Sequence, residues 1–189
     1  MNFLFVDSCD NELFVLLYNN GQHYVRTSNG NKKHNSVLLP AIDELLTEAN
    51  LEIKEIENIA CVIGPGSFTG IRLGVTTCNG LSFAIGSNRI AINTFETIAY
   101  NNTNHILIAV DCRHNNYYAG EYNNGEEIAL LNITDSEIKN FDGKVIIWNG
   151  EREIENIVNC VKKKIDNKDF VQMLSPLYLK KSQAERETE

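Results

Sequence analysis

An apolar strand ending in aspartate, with Asn-Asn-Gly twelve residues further on, occurs twice in this chain. The first copy is Phe3-Leu4-Phe5-Val6-Asp7 with Asn19-Asn20-Gly21, and the second is Ile106 to Asp111 with Asn123-Asn124-Gly125. Asn and Gly tolerate the positive φ of a type I′ turn, so each copy predicts an antiparallel hairpin and a duplicated chain. The first half reads as strands over 2–9, 12–18 and 22–27, a helix over 36–50, a strand over 59–63, a helix from Phe68 to Ile85, a strand over 89–93 and a short helix from Thr94. Leu38, Ile42, Leu45, Leu46 and Ala49 form the apolar stripe of the first helix. The second half reads as strands over 105–112, 116–122 and 127–132, a short helix from Asp135, a strand over 144–148 and a helix from Glu151 to Ile165. Three antiparallel strands followed by alternating helix and strand, twice over, is the order of a duplicated ribonuclease-H-like α/β fold. The halves divide at 1–103 and 104–189.

Between the strand at Ile59 and the helix from Phe68 lies Gly64-Pro65-Gly66-Ser67-Phe68-Thr69-Gly70, a glycine-rich corner. Ser67 or Thr69 caps the helix, and the backbone N–H groups of its first turn favour an anion. Two readings stand: a phosphate or carboxylate site, or a tight turn with a capped helix. Asp7 and Asp111 end their strands and serve either as magnesium ligands or as turn caps. Together Gly64, Gly66, Ser67, Thr69, Asp7 and Asp111 are the candidate anion or nucleotide contacts. Along the same helix Gly70, Gly74, Cys78 and Ser82 recur every fourth residue, with Ile71, Val75 and Ile85 beside them. Glycine costs a helix about 1 kcal/mol relative to alanine, so a closely approaching backbone is expected at this stripe.

Net charge is −8 at pH 7, which disfavours tight nucleic-acid binding by the chain alone; Lys162-Lys163-Lys164 is the one clear basic cluster. The five cysteines include no CxxC pair and read as reduced core thiols, which argues against secretion. Met1 to Val6 reads as a strand, and no apolar run approaches the length of a membrane span. His23, His34, His105 and His114 lack a partner at metal-ligand spacing, so neither a metal nor a cofactor is expected. Arg72 reads as one half of an ion pair with a carboxylate or as an aid to an anion.

Gly64 to Val75 closely resembles the G-P-G-S-F-T-G-[IL]-R-[IL]-G signature of the TsaB (YeaZ) family. His34 to Leu46 resembles that family's first long helix, Val110-Asp111-Cys112-Arg113 with Tyr117-Tyr118-Ala119-Gly120 its I-D-A-R…Y-A-G element, and Ser175 to Lys181 its C-terminal P-x-Y-L-R. Residues 126–170 carry no recognised motif. The resemblance implies the actin, sugar-kinase and heat-shock superfamily, and a cytoplasmic, non-catalytic scaffold subunit in synthesis of N6-threonylcarbamoyladenosine in tRNA. It implies a heterodimer with the catalytic paralogue TsaD, TsaE in a larger complex, a homodimer when alone, and only indirect contact with tRNA. The family pairs its subunits through the first long helix and the signature helix. That assigns Leu38, Ile42, Leu45, Gly70, Ile71, Gly74, Val75, Cys78 and Ser82 to the partner interface. The rival readings are an ATPase or small-molecule kinase of the same superfamily, and a self-associating module with no tRNA role. Asp7-Ser8-Cys9-Asp10-Asn11 and Asp111-Cys112-Arg113-His114-Asn115 both lack the glycine that phosphate-binding members carry beside the aspartate.

Overall fold

The computed structural model describes residues 1–28 and 33–179. Its elements run β1 (Asn2–Asp7), β2 (Leu13–Asn19), β3 (Gln22–Ser28), α1 (His34–Glu48), β4 (Asn58–Val62), α2 (Phe68–Ile85), β5 (Asn88–Ile92) and α3 (Glu96–Ala99). The second series is β6 (His105–Asp111), β7 (Asn116–Asn123), β8 (Glu126–Thr134), α4 (Asp135–Lys139), β9 (Lys144–Ile147) and α5 (Ile154–Asp166). The first sheet has the order β3-β2-β1-β4-β5 and the second β8-β7-β6-β9. In each, a three-stranded antiparallel meander is extended by a strand parallel to its first member, Phe3 opposite Asn58 and Ile106 opposite Lys144. The chain is thus a duplicated ribonuclease-H-like α/β fold whose second half, among the described residues, has one strand fewer than the first.

The repeated turns explain why both halves begin alike. Asn20 and Gly21, and again Asn124 and Gly125, all have positive φ, the left-handed conformations that a two-residue I′ hairpin demands. Boundaries differ from the sequence reading where tertiary contacts take over. β1 ends at Asp7 rather than residue 9, because Ser8 and Cys9 leave the sheet to lie against α2. Helix α5 starts at Ile154 rather than Glu151, because the preceding loop carries Arg152 into the fold.

The largest core lies in the first half. Leu4, Val6, Val15, Leu17, Ile59 and Cys61 are fully buried and pack with Leu38, Leu45, Ile71 and Cys78 of α1 and α2. Helix α5 follows the second sheet in the chain but joins this first core through Ile157, Val158, Cys160 and Val161. The second sheet has a smaller cluster on each face, one built on Phe95, Ala99, Ile106, Ile108 and Tyr122, the other on Leu107, Ala109, Ala119, Ile133 and Ile138. Among the described residues no helix is long and apolar enough to cross a membrane.

Candidate functional site: the clefts at the strand ends and the two faces of the signature helix

Both strand-end aspartates act on their own backbone. Asp7 Oδ1 accepts the Cys9 N–H at 3.0 Å and Asp111 Oδ1 accepts the Arg113 N–H at 2.7 Å, the same local turn in each half. They do not line one site. Asp111 borders a cleft of about 310 Å³ with Gly66, Ser67, Cys9, Asp10 and Arg113, while Asp7 borders a separate cleft of about 770 Å³.

Asp7 Oδ2 accepts Arg152 Nε at 2.9 Å, and Arg152 Nη2 lies 2.9 Å from the same oxygen. The side chains are 8% and 6% exposed respectively. Arg152 Nη1 also donates to the Gly150 carbonyl at 3.1 Å, and the guanidinium stands over the rings of Trp148, at 5.1 Å, and Phe14, at 5.4 Å. Asp7 is therefore already neutralised by a side chain, and a cation there must displace a buried guanidinium. Sequence reasoning missed Arg152, which lies in the stretch without motifs; its partner is 145 residues away and no local spacing marks it.

The glycine-rich corner is occupied by the chain itself. Ser67 N donates to Cys9 O at 2.7 Å, Gly70 N to Ser67 Oγ at 3.4 Å, and Ser8 Oγ to Gly70 O at 2.8 Å. Thr94 donates its N–H to Gly64 O at 3.0 Å and its hydroxyl to Pro65 O at 2.6 Å. Gly64 holds φ +112°, a conformation for which glycine is suited. A Cβ on Gly66 would stand 2.5 Å from Cys9 O, and one on Gly70 would overlap Ser8 O. Ser67 is the helix cap, as one reading of the corner expected; Thr69 is exposed.

The small stripe, expected at the partner interface, is buried within the chain's own fold. Leu38, Leu45, Cys78 and Ser82 are 0% exposed, Ile71 1%, Ile42 3% and Val75 5%. A Cβ on Gly74 would meet Ser8 Oγ at 2.5 Å and Cys61 Sγ at 3.4 Å. What approaches Gly70 and Gly74 is the chain's own Ser8, by its backbone at Gly70 and by its side chain at Gly74. The opposite face of α2 carries a second four-residue series, Arg72, Thr76, Gly80 and Ala84, all exposed. A Cβ on Gly80 would meet nothing within 4 Å. Phe83 beside it is 85% exposed, and Leu39 on α1 is 55% exposed.

Other expected roles move to neighbours. An ion pair with a carboxylate was expected of Arg72, and among the described residues none is present; its Nε donates to Tyr178 Oη at 2.9 Å and its guanidinium lies 3.7 Å from the Phe68 ring centre. Phe68 stacks in turn on Tyr178, so the C-terminal segment is tied to the start of α2. Lys180 and Lys181, included in the C-terminal resemblance, lie outside the described residues. In the basic cluster Lys162 covers the Tyr18 ring at 4.4 Å, Lys163 faces Glu126 at 3.6 Å and Lys164 contacts Glu96 at 2.9 Å. His34 Nε2 meets Asn11 O at 3.1 Å and His105 Nε2 meets Glu121 at 2.7 Å. Burial drives the Cys9 thiol well above its ordinary range, with the charge of Asp7 adding to it. Cys61 is raised first by its hydrogen bond with Cys78 and then by burial. These thiols stay protonated and poorly nucleophilic.

Known proteins resemble this chain in sequence and in fold. The family model described as TsaD, tRNA N6-adenosine threonylcarbamoyltransferase, matches residues 26–156. The chain is 29% identical over 131 residues to "tRNA threonylcarbamoyladenosine biosynthesis protein TsaB" of Escherichia coli (strain K12), a match covering 67% of this chain and 57% of that protein. It is 27% identical over 192 residues to the protein of the same name from Buchnera aphidicola subsp. Schizaphis graminum (strain Sg), covering 90% and 91%. The fold is that of the structure titled "YeaZ from Pseudomonas aeruginosa", with a TM-score of 0.78 at 18% identity over 94% of this chain and 99% of that one. With the signature corner, the duplicated sheets and these matches, the chain belongs to the tRNA N6-adenosine threonylcarbamoyltransferase family, on its TsaB (YeaZ) branch.

Proposed function

We propose that this protein is a non-catalytic, cytoplasmic scaffold subunit in the synthesis of N6-threonylcarbamoyladenosine in tRNA, binding and activating the catalytic paralogue TsaD. The observation that carries this reading is the outer face of α2. Gly80 costs the helix about 1 kcal/mol with no neighbour among the described residues to justify it, and Phe83 stands beside it almost fully exposed. A helix laid against Thr76, Gly80 and Ala84 could approach closely while Phe83 and Leu39 insert into the partner as apolar anchors. TsaE joins as a further component, and tRNA is reached through TsaD, since a chain of net charge −8 attracts polyanions poorly. In this reading residues 1–103 form the partner-binding unit and 104–189 the shorter second unit.

The ATPase or kinase alternative is disfavoured by the Asp7–Arg152 pair and by the Ser8–Cys9 backbone that fills the corner. A self-associating module without a tRNA role would use the same outer face in an isologous dimer, and a homodimer that gives way to TsaD fits the scaffold reading as well. The deciding experiment is Phe83→Glu, tested for folding, TsaD capture and support of tRNA modification in a reconstituted mixture. A folded variant that captures TsaD about tenfold to a hundredfold less well and no longer supports modification is the expected result. Undiminished capture and modification would reject the assigned face.

A further inference from the structure

Among the described residues the duplication leaves one place in the second sheet without its counterpart. In the first half β4 is flanked on its far side by β5, parallel to it, from Asn58 opposite Asn88 to Val62 opposite Ile92. β9 holds the position of β4, and among the described residues it pairs with β6 alone. A strand edge left open in this way presents unpaired N–H and C=O groups, a ready template for another strand. The cleft of about 770 Å³ lies at this strand, walled by Ile146 and Trp148 from β9 and the loop after it, by Ile98 and Asn101 at α3, and by Glu153 and Asn156 at α5.

We propose that this groove accepts an extended peptide segment of a partner protein, which adds to β9 as a fifth, parallel strand not found among the described residues of the second half. The internal repeat supplies the geometry: the guest runs parallel to β9, as β5 does to β4. Ile98, Ile146 and Ile157 provide the apolar wall, so alternate guest residues are apolar, as Ile90 and Ile92 are in β5. Lys144 stands at the start of β9, while Glu151 and Glu153 stand beyond its end, so a parallel guest has its basic residues at its C-terminal end. Asp7 adds no demand, because Arg152 already neutralises it. A second copy of this chain fits less well: two β9 edges related by a two-fold axis would run antiparallel, and β9 has only four residues set between α3 and α5. The inference stands apart from the TsaD reading, which uses α1 and α2.

The probe is a fluorescein-labelled synthetic peptide carrying residues 87–94 of this chain followed by two lysines, titrated with the full-length protein. Expected are saturable anisotropy and new protection of alternate β9 amides over residues 144–147 in ¹H–¹⁵N exchange spectra. The same peptide N-methylated at alternate residues should bind at least about tenfold more weakly, since main-chain hydrogen bonds carry most of the affinity in strand addition. Glu151→Lys with Glu153→Lys, both surface changes, should weaken the unmodified peptide by a similar factor. No saturable binding, equal binding of the methylated peptide, or binding that leaves the β9 amides unaltered would overturn the proposal. So would β9 amides already protected without peptide, which means the chain fills its own groove, or protection that grows with protein concentration, which means a second copy does.

Discussion

Arg152 and Asp7 meet inside the protein although 145 residues separate them, with Arg152 Nε 2.9 Å from Asp7 Oδ2 and both side chains under a tenth exposed. The contact joins the loop leaving the second sheet to the end of the first strand of the first. Removing one partner of a buried pair strands the other charge, at a cost of about 3–5 kcal/mol. Arg152→Met should therefore lower urea stability by that order. The double variant Asp7→Asn with Arg152→Met should recover much of the loss, because no charge is then left unpaired while the introduced side-chain amide still offers an oxygen to the Cys9 N–H. Equal stabilities of wild type and Arg152→Met would show that the pair contributes nothing.

The two faces of α2 should respond oppositely to a single methyl group. Gly70→Ala drives a Cβ into Ser8 O, backbone that cannot yield cheaply. Overpacking of this kind typically costs about 1 to 3 kcal/mol, and Gly74→Leu, which meets Ser8 and Cys61, should cost more and unfold the protein. Gly80→Ala meets open space and should stabilise the isolated chain by about 0.4–1 kcal/mol while weakening TsaD capture. Thermal melts of the three variants, paired with pull-down of Gly80→Ala, read both effects.

Asn79 fastens the C-terminal segment with two bonds to Leu174, its Nδ2 donating to the carbonyl at 2.9 Å and its Oδ1 accepting the N–H at 3.0 Å. Leu174 is buried against the first core. Asn79→Ala leaves both backbone groups unpaired, at about 1–3 kcal/mol each if they stay dry. Amide exchange near residues 172–178 should accelerate well beyond any change in β1 or β4; uniform acceleration through the whole protein would instead mark a global loss of stability.

Stability should fall on the alkaline side. Burial pushes the Cys160 thiol from its ordinary 9.0 up to about 12, with the charge of Glu96 adding to it, and the Cys9 and Cys61 thiols are raised as well. Lys164 is also raised: burial alone would lower it, but Glu96 and Asp169 outweigh that. For every one of these groups the folded state holds its proton to higher pH than the unfolded chain. Stability is thus fully present below the unfolded values and declines as pH rises through the folded ones. The urea midpoint should be flat near neutrality and fall from about pH 9 toward about pH 12. A midpoint that rises over that window contradicts the assignment.

The sequence by itself determined the duplication, both hairpin turns, the order of strands and helices along the chain and the signature corner, because these rest on local chemistry. An Asn-Gly turn needs positive φ, an apolar run seeks cover, and Ser67 caps the helix it precedes. It carried the family in the same contiguous residues. Only the tertiary structure decided which way α2 faces. Gly70, Gly74, Cys78 and Ser82 form one four-residue series and Arg72, Thr76, Gly80 and Ala84 another, and spacing alone cannot say which lies against Ser8 and which meets solvent. Nor could it pair Arg152 with Asp7, send α5 into the first core, or open the edge of β9. Each of these depends on residues that meet only after the chain has closed on itself, where burial and charge pairing act across distances that no window of sequence spans.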